Sequence, residues 1–348
     1  MSPYIMPILC LSLGLGTTLT FMSSHWMLTW MGLEMNTLAI LPLLAKSHHP
    51  RAIEATIKYF LIQATAAAVL LFTAITNAWL TGGWQLHQVS HPLMSTMVLL
   101  ALALKVGLAP LHSWLPEVLQ GLNLATGLLI STWQKLAPFS VILQLAPTHP
   151  AITIMLGLTS ILVGGWGGLN QTQLRKVLAY SSIAHLGWMI IVVHLSPNLT
   201  LITLLTYLIM TLSAFLALMI NNITSISRLA ASWAKTPIMT ALMPLIMFSL
   251  GGLPPLTGFM PKWLILDELV NQEQPLIAMV AALGSLLSLF FYLRIANAMT
   301  FAMAPNTLVT TTTWRLRPSG PASLLSISAS LTILMLPTTP IIVALVGF

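Results

Sequence analysis

Four ionisable residues lie inside long apolar stretches of this sequence, and they are the residues best able to carry chemistry. They are Glu34, Lys105, Lys135 and Lys262. A charge at the centre of a bilayer costs about 2.5–3.5 kcal/mol, so four isolated charges would cost roughly 10–14 kcal/mol. That sum rivals the whole stability of a typical domain, about 5–15 kcal/mol. We therefore expect the four side chains to be paired, hydrated or neutral and to face the interior of a helix bundle.

Proton transfer is the chemistry open to such a set. Burial can lower the pKa of a lysine to about 5–6, and an opposite charge within ~4–6 Å moves it back by about 1–3 pH units. At about 1.4 kcal/mol per pH unit, bringing Glu34 toward Lys105 is worth on the order of 1.4–4 kcal/mol. Moving one charge through 100 mV costs about 2.3 kcal/mol. A carboxylate–lysine pair could therefore gate proton uptake against a membrane potential.

The lysines also have a structural alternative. Lys105 precedes a proline by five residues and Lys262 directly follows one, so either amine could simply satisfy carbonyls that the proline leaves free. This alternative suits Lys135 less well, because its stretch contains one proline but otherwise has the pattern of an ordinary helix. It does not suit Glu34, because an ionised carboxylate cannot donate to a carbonyl.

Other polar residues in the apolar stretches leave their roles open. His112 and His185 could each be a proton relay or a hydrogen-bonded interior histidine. Glu54 and Lys58 are four residues apart near the end of an apolar stretch, which favours an ion pair on one helix face with a positioning role.

Segments 107–117 and 252–262 repeat a Gly-Leu-x-Pro-Leu pattern inside long apolar runs. Proline removes a backbone donor and clashes with the preceding turn, so each run is predicted to form two half-helices joined by irregular backbone. Unsatisfied peptide groups cost several kcal/mol each in hydrocarbon, so such a break survives only where it is packed in protein or lines a wet cavity. Two matched breaks are typical of transporters built from repeats.

The composition indicates an all-α integral membrane protein. The chain is 57% hydrophobic and 5% charged over 348 residues, whereas roughly 25% charge is usual in soluble domains. A helical span needs about 20 apolar residues. The hydropathy pattern predicts about eleven transmembrane helices, at 3–22, 25–44, 53–80, 93–120, 125–146, 150–169, 177–195, 199–221, 238–268, 275–301 and 322–346.

The net charge of +7 is sorted by membrane side. With eleven spans, the loop lysines and arginines all fall on the side of the N-terminus, which predicts that this end faces the matrix or cytoplasm. We expect no cleaved targeting segment, because the first apolar run begins almost at once. The single cysteine, Cys10, excludes an intrachain disulfide. Nucleotide-binding motifs are absent, and we expect no nucleic-acid partner, no metal and no bound redox centre.

The two repeated motifs, the four buried charges and the segment from Leu174 to Gly187 together resemble the antiporter-like membrane subunits of respiratory complex I, over the whole chain. The resemblance implies two inverted five-helix repeats, at 1–147 and 148–301, with helices four and nine discontinuous. Residues 302–348 would add a matrix loop and one last transmembrane helix. It also implies that Glu34 and Lys105 form a gated pair, that Lys135 is a central relay and that Lys262 is the terminal lysine of the path.

The resemblance further implies where the rest of the machinery lies. FMN, the iron–sulfur clusters and ubiquinone would be held by other subunits, and none by this chain. The partners would be other complex I membrane subunits, both antiporter-like and small ones, and lipids such as cardiolipin. The location would be the mitochondrial inner membrane, with the N-terminus in the matrix and the C-terminus in the intermembrane space. Two alternatives stay open, a self-contained cation/proton antiporter and a helical spacer whose lysines only stabilise broken helices.

Overall fold

The computed structural model describes residues 4–89, 91–145, 150–234, 237–300 and 322–346. Within these ranges the regular structure is helical, and backbone pairing between extended residues is confined to two isolated bridges. The α-helices are α1 Ile5–Met22, α2 Trp26–Leu44, α3 Pro50–Thr81, α4 Pro92–Val106, α5 Trp114–Gly121, α6 Leu124–Ser131, α7 Trp133–Leu145, α8 Pro150–Gly168, α9 Leu174–Val192, α10 Pro197–Asn221, α11 Ile226–Ala230, α12 Pro237–Gly251, α13 Phe259–Asn271, α14 Pro275–Thr300, α15 Ala322–Leu334 and α16 Thr339–Val346.

Several of these helices are long and apolar enough to cross a membrane. By length and composition, six helices in the described ranges qualify, namely α1, α2, α3, α8, α10 and α14. The bent pair α15 and α16 would be a seventh. Three other predicted spans, at 93–120, 125–146 and 238–268, are divided by breaks into pieces too short to qualify alone. The span predicted at 177–195 corresponds to α9, which is unbroken and long enough but not apolar enough to qualify, so the total of eleven stays a prediction.

The chain divides into two compact units, Met1–Gly157 and Leu158–Phe348. In the first unit, α1 and α2 approach closely at two glycines. A Cβ atom on Gly16 would lie 2.9 Å from the carbonyl oxygen of Gly32, and one on Gly32 would lie 2.9 Å from that of Gly16. Small residues allow such backbone approach between membrane helices. This close contact brings α1 against the face of α2 that carries Asn36.

The first predicted break is present between α4 and α5. Helix α4 ends at Val106, Gly107 takes a φ of 89°, and α5 begins at Trp114. The N–H groups of Gly107 and Leu108 both donate to the carbonyl of Ala103, at 2.8 and 2.9 Å. A positive φ is the usual helix stop, and it favours glycine because no Cβ atom clashes there.

The second predicted break is present between α12 and α13, in the second unit. Helix α12 ends at Gly251, Gly252 takes a φ of 78°, and α13 begins at Phe259. The N–H groups of Gly252 and Leu253 donate to the carbonyl of Phe248, at 3.0 and 3.2 Å. Each repeated motif therefore stops its helix in the same way, at its first glycine.

The second unit also carries an apolar core and a further bend. Buried side chains from α8, α9, α10, α13 and α14 pack together, among them Ile161, Trp188 and Ile265. Helices α15 and α16 meet at an angle of 64°. Ser249 donates to the carbonyl of Thr332 at 2.9 Å, and the hydroxyl of Thr257 donates to the same carbonyl. The break between α12 and α13 is thereby tied to the end of α15.

Two predicted spans differ from expectation. The span at 125–146 was expected to be an ordinary helix around Lys135, but it is interrupted at Thr132, between α6 and α7. The Thr132 hydroxyl bonds to the carbonyl of Leu128 four residues earlier, at 2.7 Å, a bond that bends helices, and Pro138 lacks the donor that a regular helix needs. The last span, 322–346, is bent at Leu336–Thr338. The first part of the predicted region 302–348, the matrix loop before Ala322, lies outside the residues that the structure describes.

Candidate functional site

A small cavity lined by both polar and apolar side chains lies in the first unit, near the break between α4 and α5. The volume open to the centre of a water molecule is about 10 Å³, which is roughly what a single water molecule needs. Side chains from α2, α3, α4, α5, α6 and α7 line it. Its polar lining consists of Asn36, Thr37, Tyr59, Gln63, Lys105, Gln134 and Lys135. The structure therefore brings two of the four predicted charges, Lys105 and Lys135, to one cavity.

Lys105 reaches this cavity from the last turn of α4. Its side chain is 5% exposed, and its Nζ atom has no hydrogen-bond partner within the described ranges. The carbonyls at the end of α4 are satisfied by other groups. The Lys105 carbonyl accepts from Gln63 Nε2 at 3.2 Å, and the Leu104 carbonyl accepts from Trp114 Nε1 at 3.1 Å. The amine of Lys105 is therefore not needed to complete the helix end.

Glu34 lies on α2 between Leu33 and Asn36, which both line the cavity, although Glu34 itself is not one of the lining residues. It is half-buried, and its Oε2 atom accepts from the Thr37 hydroxyl at 3.3 Å. Lys105 and the Tyr59 hydroxyl both interact electrostatically with Glu34. No hydrogen bond joins Glu34 to Lys105, because the lysine amine is unbonded within the described residues. The two residues therefore interact electrostatically without a hydrogen bond between them, and their role as a gated pair stays a prediction.

Lys135 enters the cavity from the first turn of α7 and is 2% exposed. The neighbouring Gln134 connects three helices. Its Nε2 atom donates to the carbonyl of Asn36 at 3.3 Å, and its Oε1 atom accepts from the Tyr59 hydroxyl at 3.4 Å. The interruption at Thr132 allows α7 to begin at the cavity, and neutral polar groups fix its first turn there.

Helix α3 contacts both half-helices of the first break, the end of α4 and α5. Tyr59 and Gln63 are one turn apart, so they lie on the same helix face. The Tyr59 ring meets that of Trp114 edge-on at 5.8 Å, while Gln63 bonds to the end of α4. One residue before Tyr59, Lys58 bonds to Glu54 at 2.9 Å and to Glu117 on α5 at 2.8 Å. The predicted Glu54–Lys58 pair is confirmed, and it extends across to the second half-helix.

Lys262 has a different position at the second break. Its Nζ atom donates to the carbonyl of Gly251, the last residue of α12, at 2.8 Å. A Cβ atom on Gly252 would lie 2.9 Å from that same Nζ atom, so a larger residue there would displace the lysine side chain in addition to straining the positive φ. The amine of Lys262, on α13, therefore caps the end of α12, as the structural alternative for the lysines predicts.

The two histidines lie in different surroundings. His112 is half-buried in the segment between α4 and α5, and its Nδ1 atom lies 3.3 Å from the carbonyl oxygen of Pro110. His185 is half-buried on α9 in the second unit, and its ring lies 5.6 Å from that of Tyr207. Neither residue lines the cavity that holds Lys105 and Lys135. Their roles as relays stay predictions.

Sequence reasoning overlooked the neutral polar residues of the site. Asn36, Gln63 and Gln134 contact the cavity or the helix ends around it, and the Asn36 amide has no hydrogen-bond partner within the described part of the chain. A signal was available, because uncharged amides inside apolar spans are costly unless they are paired. Among the described residues, no group of three or more His, Cys, Asp or Glu side chains could hold a metal ion.

Comparison with known proteins matches almost the whole chain. Residues 23–288 match the family described as NADH:quinone oxidoreductase/Mrp antiporter, TM, and residues 289–343 match the family described as NADH dehydrogenase subunit 2 C-terminus. NADH-ubiquinone oxidoreductase chain 2 of Tetraodon nigroviridis is 63% identical over 345 residues, covering 99% of each chain, and that of Salmo salar is 62% identical over 346 residues with the same coverage. The chain belongs to the NADH-ubiquinone oxidoreductase chain 2 family.

Solved structures of related complexes have the same fold. A chain of respiratory complex I from Thermus thermophilus superposes with a TM-score of 0.86 and 29% identity, over 97% of this chain and 79% of that one. A chain of the Mrp complex from Dietzia superposes with a TM-score of 0.83 and 18% identity, over 98% of this chain and 76% of that one. The resemblance to the antiporter-like subunits of complex I is therefore confirmed for the chain 2 family, and the second comparison concerns the fold alone.

Proposed function

We propose that this chain is a core membrane subunit of a proton-pumping NADH:ubiquinone oxidoreductase and that its first unit carries part of the proton path. The observation that carries the proposal is the cavity in which the unbonded amine of Lys105 lies beside Lys135 and interacts with Glu34. The relatives at 62% and 63% identity carry the name of this oxidoreductase. The family description, which combines quinone oxidoreductases with antiporters, supports ion movement as the task of the fold.

In the proposed path, Glu34 and Lys105 are the gate. When the carboxylate approaches, the charged amine of Lys105 is stabilised and holds its proton. When the carboxylate withdraws, burial favours the neutral amine, and the proton can pass toward Lys135. Moving an opposite charge into or out of contact changes the proton affinity by about 1.4–4 kcal/mol, and one charge crossing 100 mV requires about 2.3 kcal/mol. Motion of Glu34 is thus large enough in energy to control the transfer.

We propose that Lys262 and His185 act later in the path, in the second unit, and that His112 serves the first break. Lys262 keeps its amine on the helix end of α12 at 2.8 Å, so this residue would have to leave the Gly251 carbonyl to pass a proton onward. Its proposed role therefore includes a conformational step that Lys105 does not need.

The repeat layout is also a proposal, with residues 1–147 and 148–301 as the two inverted repeats. Twin bridges support it. In the first bridge, His25 just before α2 pairs with Gln85 just after α3. In the second bridge, Gln173 just before α9 pairs with Ser225 just after α10. The two breaks occupy matching places after these bridges. Eleven transmembrane helices follow from this layout if each pair of half-helices crosses the membrane once.

We propose that the redox groups, FMN, iron–sulfur clusters and ubiquinone, belong to other subunits, because this chain carries no motif for them. Other complex I membrane subunits, antiporter-like and small, are its proposed partners, together with lipids such as cardiolipin. The proposed location is the mitochondrial inner membrane, with the N-terminus in the matrix and the C-terminus in the intermembrane space. The charge sorting of the loops supports this orientation.

The test uses the assembled complex. Glu34→Gln and Lys105→Met should each lower NADH-linked quinone reduction and proton translocation together. Lys46→Met is the matched control, because Lys46 is exposed and lies outside the cavity. Full activity of Lys105→Met in an intact complex would contradict the proposal. Cation exchange by the purified chain in liposomes without NADH would instead favour the self-contained antiporter.

A further inference from the structure

We propose that Gln63 and Trp114 are positioning residues that keep the amine of Lys105 free for proton transfer. The inference rests on the proposed function of Lys105. It arises from a difference between the two breaks: at the second one a lysine amine bonds to the helix end, whereas at the first one neutral side chains do so.

The carbonyls at the end of α4 show the arrangement. The last four carbonyls of any helix lack partners within the helix. Here three of the four have donors. The Ala103 carbonyl accepts from the N–H groups of Gly107 and Leu108. The Leu104 carbonyl accepts from Trp114 Nε1, and the Lys105 carbonyl accepts from Gln63 Nε2. The donor from Gln63 reaches the carbonyl of Lys105 itself, so this glutamine fixes the backbone from which the lysine side chain extends.

Burial makes these two bonds effective. Gln63 is 4% exposed and Trp114 is 4% exposed, so water does not readily replace either donor. Both residues also line the cavity that receives the Lys105 side chain. A buried carbonyl without a donor is costly and attracts a nearby N–H group, and the amine of Lys105 extends from the same helix turn and has no partner within the described residues. Removing either cap would therefore draw the amine out of the proton path.

The chain offers a matched control. Gln144 donates its Nε2 atom to the carbonyl of Phe21 in the last turn of α1, at 3.0 Å. This bond has the same chemistry as the bond made by Gln63, a glutamine amide on a helix-end carbonyl in the first unit. It lies away from the cavity lining. Gln144→Met should therefore report the cost of losing such a bond without an effect on Lys105.

The experiment is a double-mutant cycle in the assembled oxidoreductase, with Gln63→Met, Lys105→Met and both together. We expect Gln63→Met to lower NADH-linked proton translocation about fivefold or more, in line with the loss of a buried hydrogen bond, with normal assembly. The double variant should be no worse than Lys105→Met alone, because Gln63 acts through that amine. Gln144→Met should keep the activity of the unchanged chain.

Two outcomes would overturn the inference. The first is normal translocation in Gln63→Met, and the second is losses that add in the double variant, since additive losses indicate a merely structural role. If Gln63→Met does not assemble, the same cycle with Trp114→Phe decides, because phenylalanine keeps an aromatic ring and removes the donor. Normal or additive behaviour there rejects the inference. If Lys105→Met itself is fully active, the proposed function fails instead.

Discussion

Lys262 and Lys105 both lie near a helix break, yet their replacement by methionine should have opposite structural consequences. Lys262→Met removes the donor to the Gly251 carbonyl, now bonded at 2.8 Å. Leaving a buried acceptor unsatisfied costs about 1–3 kcal/mol. Lys105→Met breaks no hydrogen bond of the amine within the described ranges and removes a charge from the apolar interior. Lys262→Met should therefore loosen the break between α12 and α13, whereas Lys105→Met should leave the break between α4 and α5 intact.

Hydrogen exchange measured by mass spectrometry in the assembled complex would read this difference. Local opening free energies set exchange rates, so a loss of about 1–3 kcal/mol should accelerate exchange in segment 252–258 by about 5- to 150-fold in Lys262→Met. Exchange in segment 107–113 should be unchanged in Lys105→Met. Lys262→Arg keeps a donor and should restore most of the protection. Equal acceleration at both breaks would refute the reasoning, because it would mean that both amines hold their helix ends.

Three further predictions concern the elements around the breaks. Gly252→Ala should lower assembly of the complex more than Gly82→Ala. Both glycines have a positive φ, which costs roughly 1–2 kcal/mol for other residues, but of these two positions only at Gly252 would the Cβ atom meet a lysine amine. Equal assembly of the two variants on native gels would contradict this prediction. Ser249→Ala and Thr257→Val should each have little effect on exchange at the end of α15, while the double variant should cost about 1–3 kcal/mol, because both hydroxyls donate to one carbonyl; a large effect of either single change would be against it. Lys58→Met should lower the activity of the complex only at low ionic strength, since exposed ion pairs are screened by salt; a loss that persists at high salt would indicate another role.

The positions of the breaks could be predicted from the sequence because their causes are local. Glycine at a helix end and proline just after it act on the backbone within one or two turns. The structure accordingly ends α4 at Val106 and α12 at Gly251, each directly before the first glycine of its motif. The interruption at Thr132 was missed although its cause is also local. A threonine hydroxyl competes for a carbonyl only in some contexts, and one proline six residues later, Pro138, did not distinguish a bend from an ordinary helix.

The partners of the buried charges could not be predicted, because they depend on contacts between distant parts of the chain. Gln63 and Lys105 are 42 residues apart in sequence and meet through the packing of α3 on α4. Gln134 reaches the carbonyl of Asn36 across 98 residues. Apolar periodicity indicates that such residues face inward, but it does not indicate which carbonyl each amide will reach. The sequence therefore identified the costly charges, and the neutral residues that position them required the structure.

The structural alternative for the lysines, a spacer whose amines only complete broken helices, applies unequally to the two units. It agrees with the position of Lys262, whose amine bonds to the end of α12 and would have to leave that carbonyl to pass a proton. It does not describe Lys105, because the carbonyls of Lys105 and Leu104 already have neutral donors. A buried amine costs free energy and, as a mere stabiliser, should have been bonded there or replaced by an apolar residue. Its amine has no partner within the described residues and lies in a cavity that Lys135 also lines, and this position suits a group that exchanges protons.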